Sequence, residues 1–186
     1  MAYMPKASDN EVINFPRMYN VLGADLSLKR PGFALLTVDK TSDETKLILK
    51  KISSVDNKND RKKCHGELLS DIRIAFLNTA FPSYNTFFVR ETEIMHMKTP
   101  AERNLSKVVG LLDWQLWNLY KKEWYSIYPV TIKKLITGSG KSEKEEVAKS
   151  LEAYVGKQDY KCDDESDAVA VAIAWLIQQG ELKELV

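Results

Sequence analysis

Residues 19–52 read YNVLGADLSLKRPGFALLTVDKTSDETKLILKKI. Two apolar runs in this stretch, 19–26 and 32–38, flank a Ser-Leu-Lys-Arg-Pro-Gly turn, which predicts two antiparallel strands. The segment 47–52 predicts a third, weaker strand. Three strands joined by short turns therefore come before any helix, and this order decides the class of fold.

After these strands the chain alternates between helix and strand. The clearest helix start is Thr99-Pro100-Ala101-Glu102, with threonine as cap, proline first and glutamate third in the helix. The next elements predicted are a helix over 66–81, a strand over 86–89 that runs into Glu91, and a helix from Pro100 to about Lys121. A strand over 124–130, stopped by Pro129, follows, and then a helix that a Ser142/Glu145 capping box opens and that ends at about Val155. The last predicted helix is buried over 168–177 and is opened by Asp163 or Asp164. This order predicts an α/β fold with a mixed sheet and helices on its faces.

The composition is that of one ordinary globular domain. The 186 residues are 44% hydrophobic and 28% charged, which excludes a disordered, collagen-like or membrane-spanning chain. The formal net charge of +1 argues against a generally basic nucleic-acid binder, so any attraction to phosphate must be local.

The first residues carry no targeting signal. Pro5 and Pro16 keep residues 1–18 from helix, so we predict an N-terminal extension over 1–18 and a single domain over 19–186. Cys64 and Cys162 are too few for a disulfide scaffold, which predicts a reducing cytosol. With only two histidines and no CxxC pair, a structural zinc site is disfavoured.

Four acidic residues lie at the ends of predicted elements. Asp25 ends the first strand and Glu91 the fourth, while Asp164 and Asp167 share one face at the start of the last helix. If the first and fourth strands are neighbours, the carboxylates converge at one edge of the sheet. Two carboxylates about 5 Å apart repel by roughly 3 kcal/mol at an effective dielectric of 20, so the group needs cations or protons. Oxygen ligands favour Mg²⁺, and two ions about 4 Å apart can stabilise both oxygens of a phosphodiester displacement.

Each acid also has an ordinary structural interpretation. An acid after a strand, such as Asp25, is often a turn residue, and one at a helix N-terminus, such as Asp164, is often a cap. Glu93 competes with Glu91 for the strand-end position. The prediction of a site therefore depends on the joint placement of the four acids.

A glycine-rich loop follows the fifth predicted strand. Gly138-Ser-Gly140-Lys-Ser matches the end of a P-loop, but Leu135 stands where that motif needs its first glycine, which disfavours a nucleotide-binding ATPase. Exposed amides before a helix can still bind phosphate, and a solvated helix start is the alternative. The lysines around the loop are Lys133, Lys134, Lys141 and Lys144.

Two further features have two interpretations each. Segment 50–63 carries six cations against two acids, and it is either a contact for a nucleic-acid backbone or a solvated loop. Trp114 and Trp117 lie on the long predicted helix, where they pack in a core or in an interface.

Together these motifs resemble the RuvC-type Holliday junction resolvases, and more specifically a phage-encoded member. The matching segments are Gly-Ala-Asp25-Leu-Ser, Phe-Val-Arg-Glu91-Thr, the lysine-glycine stretch 132–144 and Asp164-Glu-Ser-Asp167-Ala, in family order over about residues 19–178. The resemblance implies a ribonuclease H-like five-stranded sheet, three antiparallel strands and then parallel ones, flanked by helices. It also implies a homodimer and Mg²⁺-dependent nicking of branched DNA, in which water attacks a phosphate.

The resemblance assigns roles by position. Asp25, Glu91, Asp164 and Asp167 match the four metal-binding acids, and Lys133 and Lys144 match basic residues near the phosphate. We expect Lys134 and Lys141 to add DNA contacts. At another DNA-contact position, Ile94 replaces a phenylalanine thought to wedge at the junction in bacterial members, and Leu26 replaces the usual proline after the first aspartate. These changes predict a relaxed selectivity among branched substrates.

We therefore predict a cytoplasmic, homodimeric DNA endonuclease, in the host cytoplasm if it is phage-encoded. It would use two Mg²⁺ ions per site, with Mn²⁺ as a substitute, to nick Holliday junctions and also forks and flaps. The long helix from Pro100 is the predicted dimer contact. One alternative is another ribonuclease H-like nuclease, acting on RNA–DNA hybrids or free ends. The other is a junction-binding protein without chemistry.

Overall fold

The structure, a computed structural model, describes residues 13–42, 44–57, 63–80, 85–92 and 98–185. Its elements are β1 (Met18–Asp25), β2 (Gly32–Asp39), β3 (Lys46–Ser54), α1 (His65–Ala80), β4 (Thr86–Glu91), α2 (Pro100–Tyr120), β5 (Tyr125–Ile127), α3 (Pro129–Thr137), α4 (Lys144–Val155) and α5 (Asp163–Gln178).

The strands form one mixed five-stranded sheet in the order β3-β2-β1-β4-β5. The pairs β1–β2 and β2–β3 are antiparallel, whereas β1–β4 and β4–β5 are parallel. The predicted fold class is confirmed, including the condition that the first and fourth strands are neighbours. Because β1 and β4 run in the same direction, Asp25 and Glu91 end at the same edge of the sheet.

Helices cover both faces of the sheet. Alternate residues of β1 divide between two cores: Val21 packs with the helices α3, α4 and α5, and Leu22 packs with α1 and α2. Helix α5 is buried along nearly its whole length from Ala168 to Ile177, as its apolar sequence predicts. Gly23 and Gly32 let α5 approach the sheet closely, since a Cβ at either position would collide with a backbone carbonyl of α5.

Two local predictions were wrong. Strand β5 ends at Ile127, and Pro129 opens the unpredicted helix α3 instead of stopping a strand, because the fixed φ of proline suits the first turn of a helix. The capping box of α4 is Glu143 with Glu146, one residue later than Ser142 with Glu145. Ser142 is buried, and its Oγ accepts a hydrogen bond of 2.8 Å from Thr137 Oγ1.

Part of the predicted N-terminal extension contacts the domain. The Phe15 ring lies 5.0 Å from Phe87 and 5.7 Å from Trp175 between ring centroids. Residues 1–12 lie outside the described residues, and the division at residue 18 stays a prediction. Within the described ranges, no helix is long and apolar enough to cross a bilayer.

Candidate active site

A cleft of about 290 Å³ opens at the edge of the sheet where β1 and β4 end. Three of the four predicted acids line it: Asp25 from β1, Glu91 from β4 and Asp167 from the second turn of α5. The two strands place the first two acids side by side, and the packing of α5 on Gly23 and Gly32 brings the third to them. The other lining residues are Pro129, Ile132, Lys133, Lys144, Val147 and Ala170.

The acids of the cleft hold their protons unusually strongly. Burial, followed by the negative charges of Asp167, Glu91 and Asp164, raises the pKa of Asp25 to about 8. Burial also raises the pKa of Glu91, and Asp167 adds to that rise. The pKa of Asp167 is raised by burial too, although Lys144 opposes the shift. Burial and mutual repulsion therefore make it unfavourable for all three acids to be ionised together.

Two lysines reach this part of the molecule from the helices α3 and α4. Lys144 Nζ donates a hydrogen bond of 2.7 Å to Asp167 Oδ2, and this bond raises the pKa of Lys144 even though burial lowers it. Lys133 Nζ donates to the Ser142 carbonyl at 2.7 Å, which anchors the loop between the two helices. Both lysines line the cleft, and their role as basic residues near a phosphate stays a prediction.

The other two predicted DNA-contact lysines lie outside the cleft. Lys134 is exposed on α3 and does not line the cleft. Lys141 is also exposed, and it borders a separate cavity of about 400 Å³. The other residues of that cavity are mostly hydroxyl-bearing: Thr137, Ser139, Ser142, Glu146 and Ser150.

Asp164 differs from the other three acids. It does not line the cleft, and its Oδ2 lies 3.8 Å from Arg30 Nε. Arg30 belongs to the turn between β1 and β2. The fourth acid therefore lies beside the cleft and contacts a cation of the protein itself.

The donor set suits a hard divalent cation. Among the described residues, no three side chains of ligand type already stand in position to enclose an ion. Lys144 contacts Asp167, and Arg30 contacts Asp164. However, three carboxylates share the cleft with two lysines, and burial together with mutual repulsion opposes the ionisation of all three acids. Carboxylate oxygens are the ligands that Mg²⁺ and Mn²⁺ prefer. The residues present therefore fit such an ion.

Comparison with known proteins identifies relatives that act on DNA. No family model matches the sequence. The chain is 34% identical over 158 residues to the crossover junction endodeoxyribonuclease RuvC of Ehrlichia ruminantium (strain Gardel), covering 83% of this chain and 94% of that protein. The chain belongs to the RuvC family. It is also 28% identical over 158 residues to RuvC of Ehrlichia canis (strain Jake), with the same coverage.

Solved structures confirm the ribonuclease H-like fold of this RuvC-family chain. It is similar to Thermus thermophilus RuvC in complex with a Holliday junction substrate, with a TM-score of 0.72 and 19% identity over 90% of this chain and 99% of that one. It is also similar to the yeast mitochondrial Holliday junction resolvase Ydc2, with a TM-score of 0.57 and 17% identity over 95% of this chain and 84% of that one.

Other predicted features of this RuvC-family member have mixed outcomes. Ile94 and Glu93 lie outside the described residues. In the basic segment, Lys51 donates to the Asn78 carbonyl and Lys63 pairs with Asp71, so these two cations serve the fold. Residues 58–62 lie outside the described part. Trp114 and Trp117 are 59% and 54% exposed, which contradicts core packing, and their role in an interface stays a prediction.

Sequence reasoning missed two residues beside the cleft. Arg30 gave no signal, because an arginine before Pro-Gly is an ordinary turn residue. Tyr128 is 61% exposed and directly precedes Pro129, a lining residue. Its position follows Ile127, which pairs with Glu91. Recognising Pro129 as the first residue of a helix would have placed Tyr128 at this edge of the sheet.

Proposed function

We propose that this chain is a structure-selective DNA endonuclease that cuts Holliday junctions and other branched DNA. The observation that carries the proposal is the convergence of Asp25, Glu91 and Asp167 with Lys133 and Lys144 in one cleft. Its RuvC relatives are crossover junction endodeoxyribonucleases. The same geometry supports hydrolysis of a phosphodiester, because excess carboxylates bind cations and the lysines offer charge to a phosphate.

The acidic and basic side chains of the cleft have different proposed roles. Asp25, Glu91, Asp164 and Asp167 would hold the metal, and we propose two Mg²⁺ ions, with Mn²⁺ as a substitute. When bound, such ions activate water and offset the charge that develops on the phosphate. Lys133, anchored on the loop carbonyl, positions a phosphate oxygen at the cleft. Lys144, which donates a hydrogen bond to Asp167, would contribute its charge to the same phosphate.

Contacts beyond the cleft would hold the DNA backbone. Lys134 and Lys141 are exposed around the loop 138–142, whose amides precede the N-terminus of α4. Ile94 is proposed as a junction contact. A branched aliphatic side chain cannot stack on a base as a ring does, so we propose a broader choice of branched substrates, forks and flaps included.

We also propose a homodimer formed through α2. Trp114 and Trp117 are exposed on one face of this helix, and Gly110 lies one turn before Trp114 on that face. Glycine inside a helix costs about 1 kcal/mol relative to alanine. Nothing lies within 4 Å of a Cβ built at Gly110 among the described residues, so packing within the chain does not require glycine there. A second α2 helix that packs closely against this face would explain the glycine at position 110, because a larger side chain would separate the two helices.

The dimer has a direct test in sedimentation analysis. Gly110→Glu should convert the dimer into a folded monomer, because the new side chain enters open space within the chain but blocks a second helix. Ala153→Glu, at an exposed position of α4, is the matched control and should leave the dimer intact. A wild-type monomer at tens of micromolar would refute the dimer.

The activity is tested with a labelled four-way junction, with and without Mg²⁺. We expect symmetric nicks from the wild-type protein, none from Asp25→Asn or Asp167→Asn, and junction binding by all three. Cutting by either variant would remove that acid from the site. Preferential cutting of an RNA–DNA hybrid or a free end would favour another ribonuclease H-like nuclease. Binding without any cutting by the wild type would favour a junction-binding protein.

Origin and location follow from the same proposal. A phage-encoded resolvase would act in the cytoplasm of the host cell, and both statements stay predictions.

A further inference from the structure

The turn that carries Arg30 is held rigidly by the segment after β3. Asn57 donates from its backbone to the Lys29 carbonyl at 2.8 Å and from its buried side chain to the Leu28 carbonyl at 3.1 Å. The Arg30 backbone N–H itself donates to Ser27 Oγ at 2.9 Å. The position of the Arg30 Cα is therefore fixed, and only its side chain has freedom.

The guanidinium of Arg30 lies between two carboxylates. Its Nη2 donates to Asp56 Oδ2 at 3.1 Å, and its Nε lies 3.8 Å from Asp164 Oδ2. The Nε atom is buried and has no hydrogen-bond partner among the described residues. A buried N–H without a partner is costly, so a small rotation of Asp164 toward Arg30 would be favourable.

The backbone of Asp164 is fixed as well. A Cβ at Gly32 would collide with the Asp164 carbonyl, so the first turn of α5 rests directly on the start of β2. Asp164 can therefore choose its partner only by changing its side-chain rotamer. One partner is Arg30, and the other would be a metal ion held by the acids that line the cleft.

We propose that Arg30 sets the metal affinity of the site by competing with the metal for the Asp164 carboxylate. This inference rests on the metal site of the proposed function. Arginine keeps its charge at every accessible pH, so it retains Asp164 and repels a second cation nearby. Asp56 weakens the hold of Arg30 on Asp164, because its exposed carboxylate pairs with the same guanidinium and partly offsets its charge. Arg30 is thus a positioning residue that acts through Asp164.

The test is a titration of the full chain with Mn²⁺ in the absence of DNA. The electron paramagnetic resonance signal of free Mn²⁺ measures how much of the ion is bound. Arg30→Gln should lower the Kd by about tenfold, since a competing cation is lost. Asp56→Asn should raise the Kd by about threefold, since Arg30 then has only Asp164 as its carboxylate partner here. Asp56 is 54% exposed, so the second variant keeps the fold. The Mg²⁺ concentration that half-saturates junction cutting should shift in the same directions.

Lys29→Gln is the matched control, because it removes one exposed cation from the same turn. It should change the Kd by less than about twofold, as expected for a screened surface charge. An unchanged or weaker affinity in Arg30→Gln would overturn the inference, and so would a shift of Asp56→Asn in the same direction as Arg30→Gln. If the wild type bound Mn²⁺ no better than Asp25→Asn, the proposed metal site would fall and this inference with it.

Discussion

Replacing Asp25 by asparagine should stabilise the metal-free protein and, at the same time, remove its activity. The folded protein holds the pKa of Asp25 near 8 against a usual value of 3.8, so between these pH values the folded state binds more protons than the unfolded state. Stability must then fall as the pH rises through this window. At pH 7 the cost amounts to about 4 kcal/mol, since roughly three pH units separate 3.8 from 7 at about 1.4 kcal/mol each. Asparagine cannot ionise, and it keeps the shape but not every hydrogen bond of the protonated acid. We therefore expect the free energy of unfolding of Asp25→Asn to exceed that of the wild type by about 2–4 kcal/mol at pH 7.

The assay is thermal unfolding in EDTA from pH 5 to pH 8. For a domain of this size the gain corresponds to a rise in Tm on the order of 5–10 °C at pH 7, and it should shrink toward pH 5. Asp159→Asn, which alters an exposed carboxylate, is the control and should follow the wild type. Excess Mg²⁺ should reverse the order, because only the intact site gains binding energy. Parallel curves for the wild type and Asp25→Asn across this pH range would refute the reasoning.

Three other outcomes follow from the structure. Gly32→Ala should lower the free energy of unfolding by about 3 kcal/mol in urea titrations, because its Cβ meets the Asp164 carbonyl. Tyr128→Ala should weaken junction binding by about 5- to 100-fold in fluorescence anisotropy, and Tyr128→Phe should retain it, if the exposed ring stacks on a base. With about six phosphates contacted, junction affinity should fall with salt with a log–log slope near −5, and a flat response would exclude a backbone contact.

Most of the fold could be read from local patterns. Strands β1, β2 and β4 combine apolar runs with clear boundaries. Thr99 and Glu102 form the capping box that the sequence of this segment predicts. Helix α3 was missed for a physical reason: Tyr128-Pro129-Val130 suits either a strand end or a helix start, and only the packing of Ile132 and Ile136 against the core decides between them. The one-residue error at the cap of α4 has a similar cause, since Ser142 is bonded to Thr137 instead of capping.

The site was predictable where the backbone alone places the side chain. Neighbouring parallel strands put Asp25 and Glu91 at one edge, and helical spacing puts Asp164 and Asp167 on one face. The orientation of Asp164 toward Arg30 was not predictable, because it depends on a turn held by Asn57, which lies 27 residues away from Arg30 in the sequence. The exposure of Trp114 and Trp117 likewise depends on which face of α2 the core covers.

The separation of the cleft acids along the sequence has a consequence for folding. Asp25 on β1 and Asp167 on α5 lie about 140 residues apart, yet they line one cleft. Contacts between such distant segments form slowly, because closing the intervening chain costs conformational entropy. The three acids therefore cannot meet before α5 docks on the sheet, however early β1 and β4 pair.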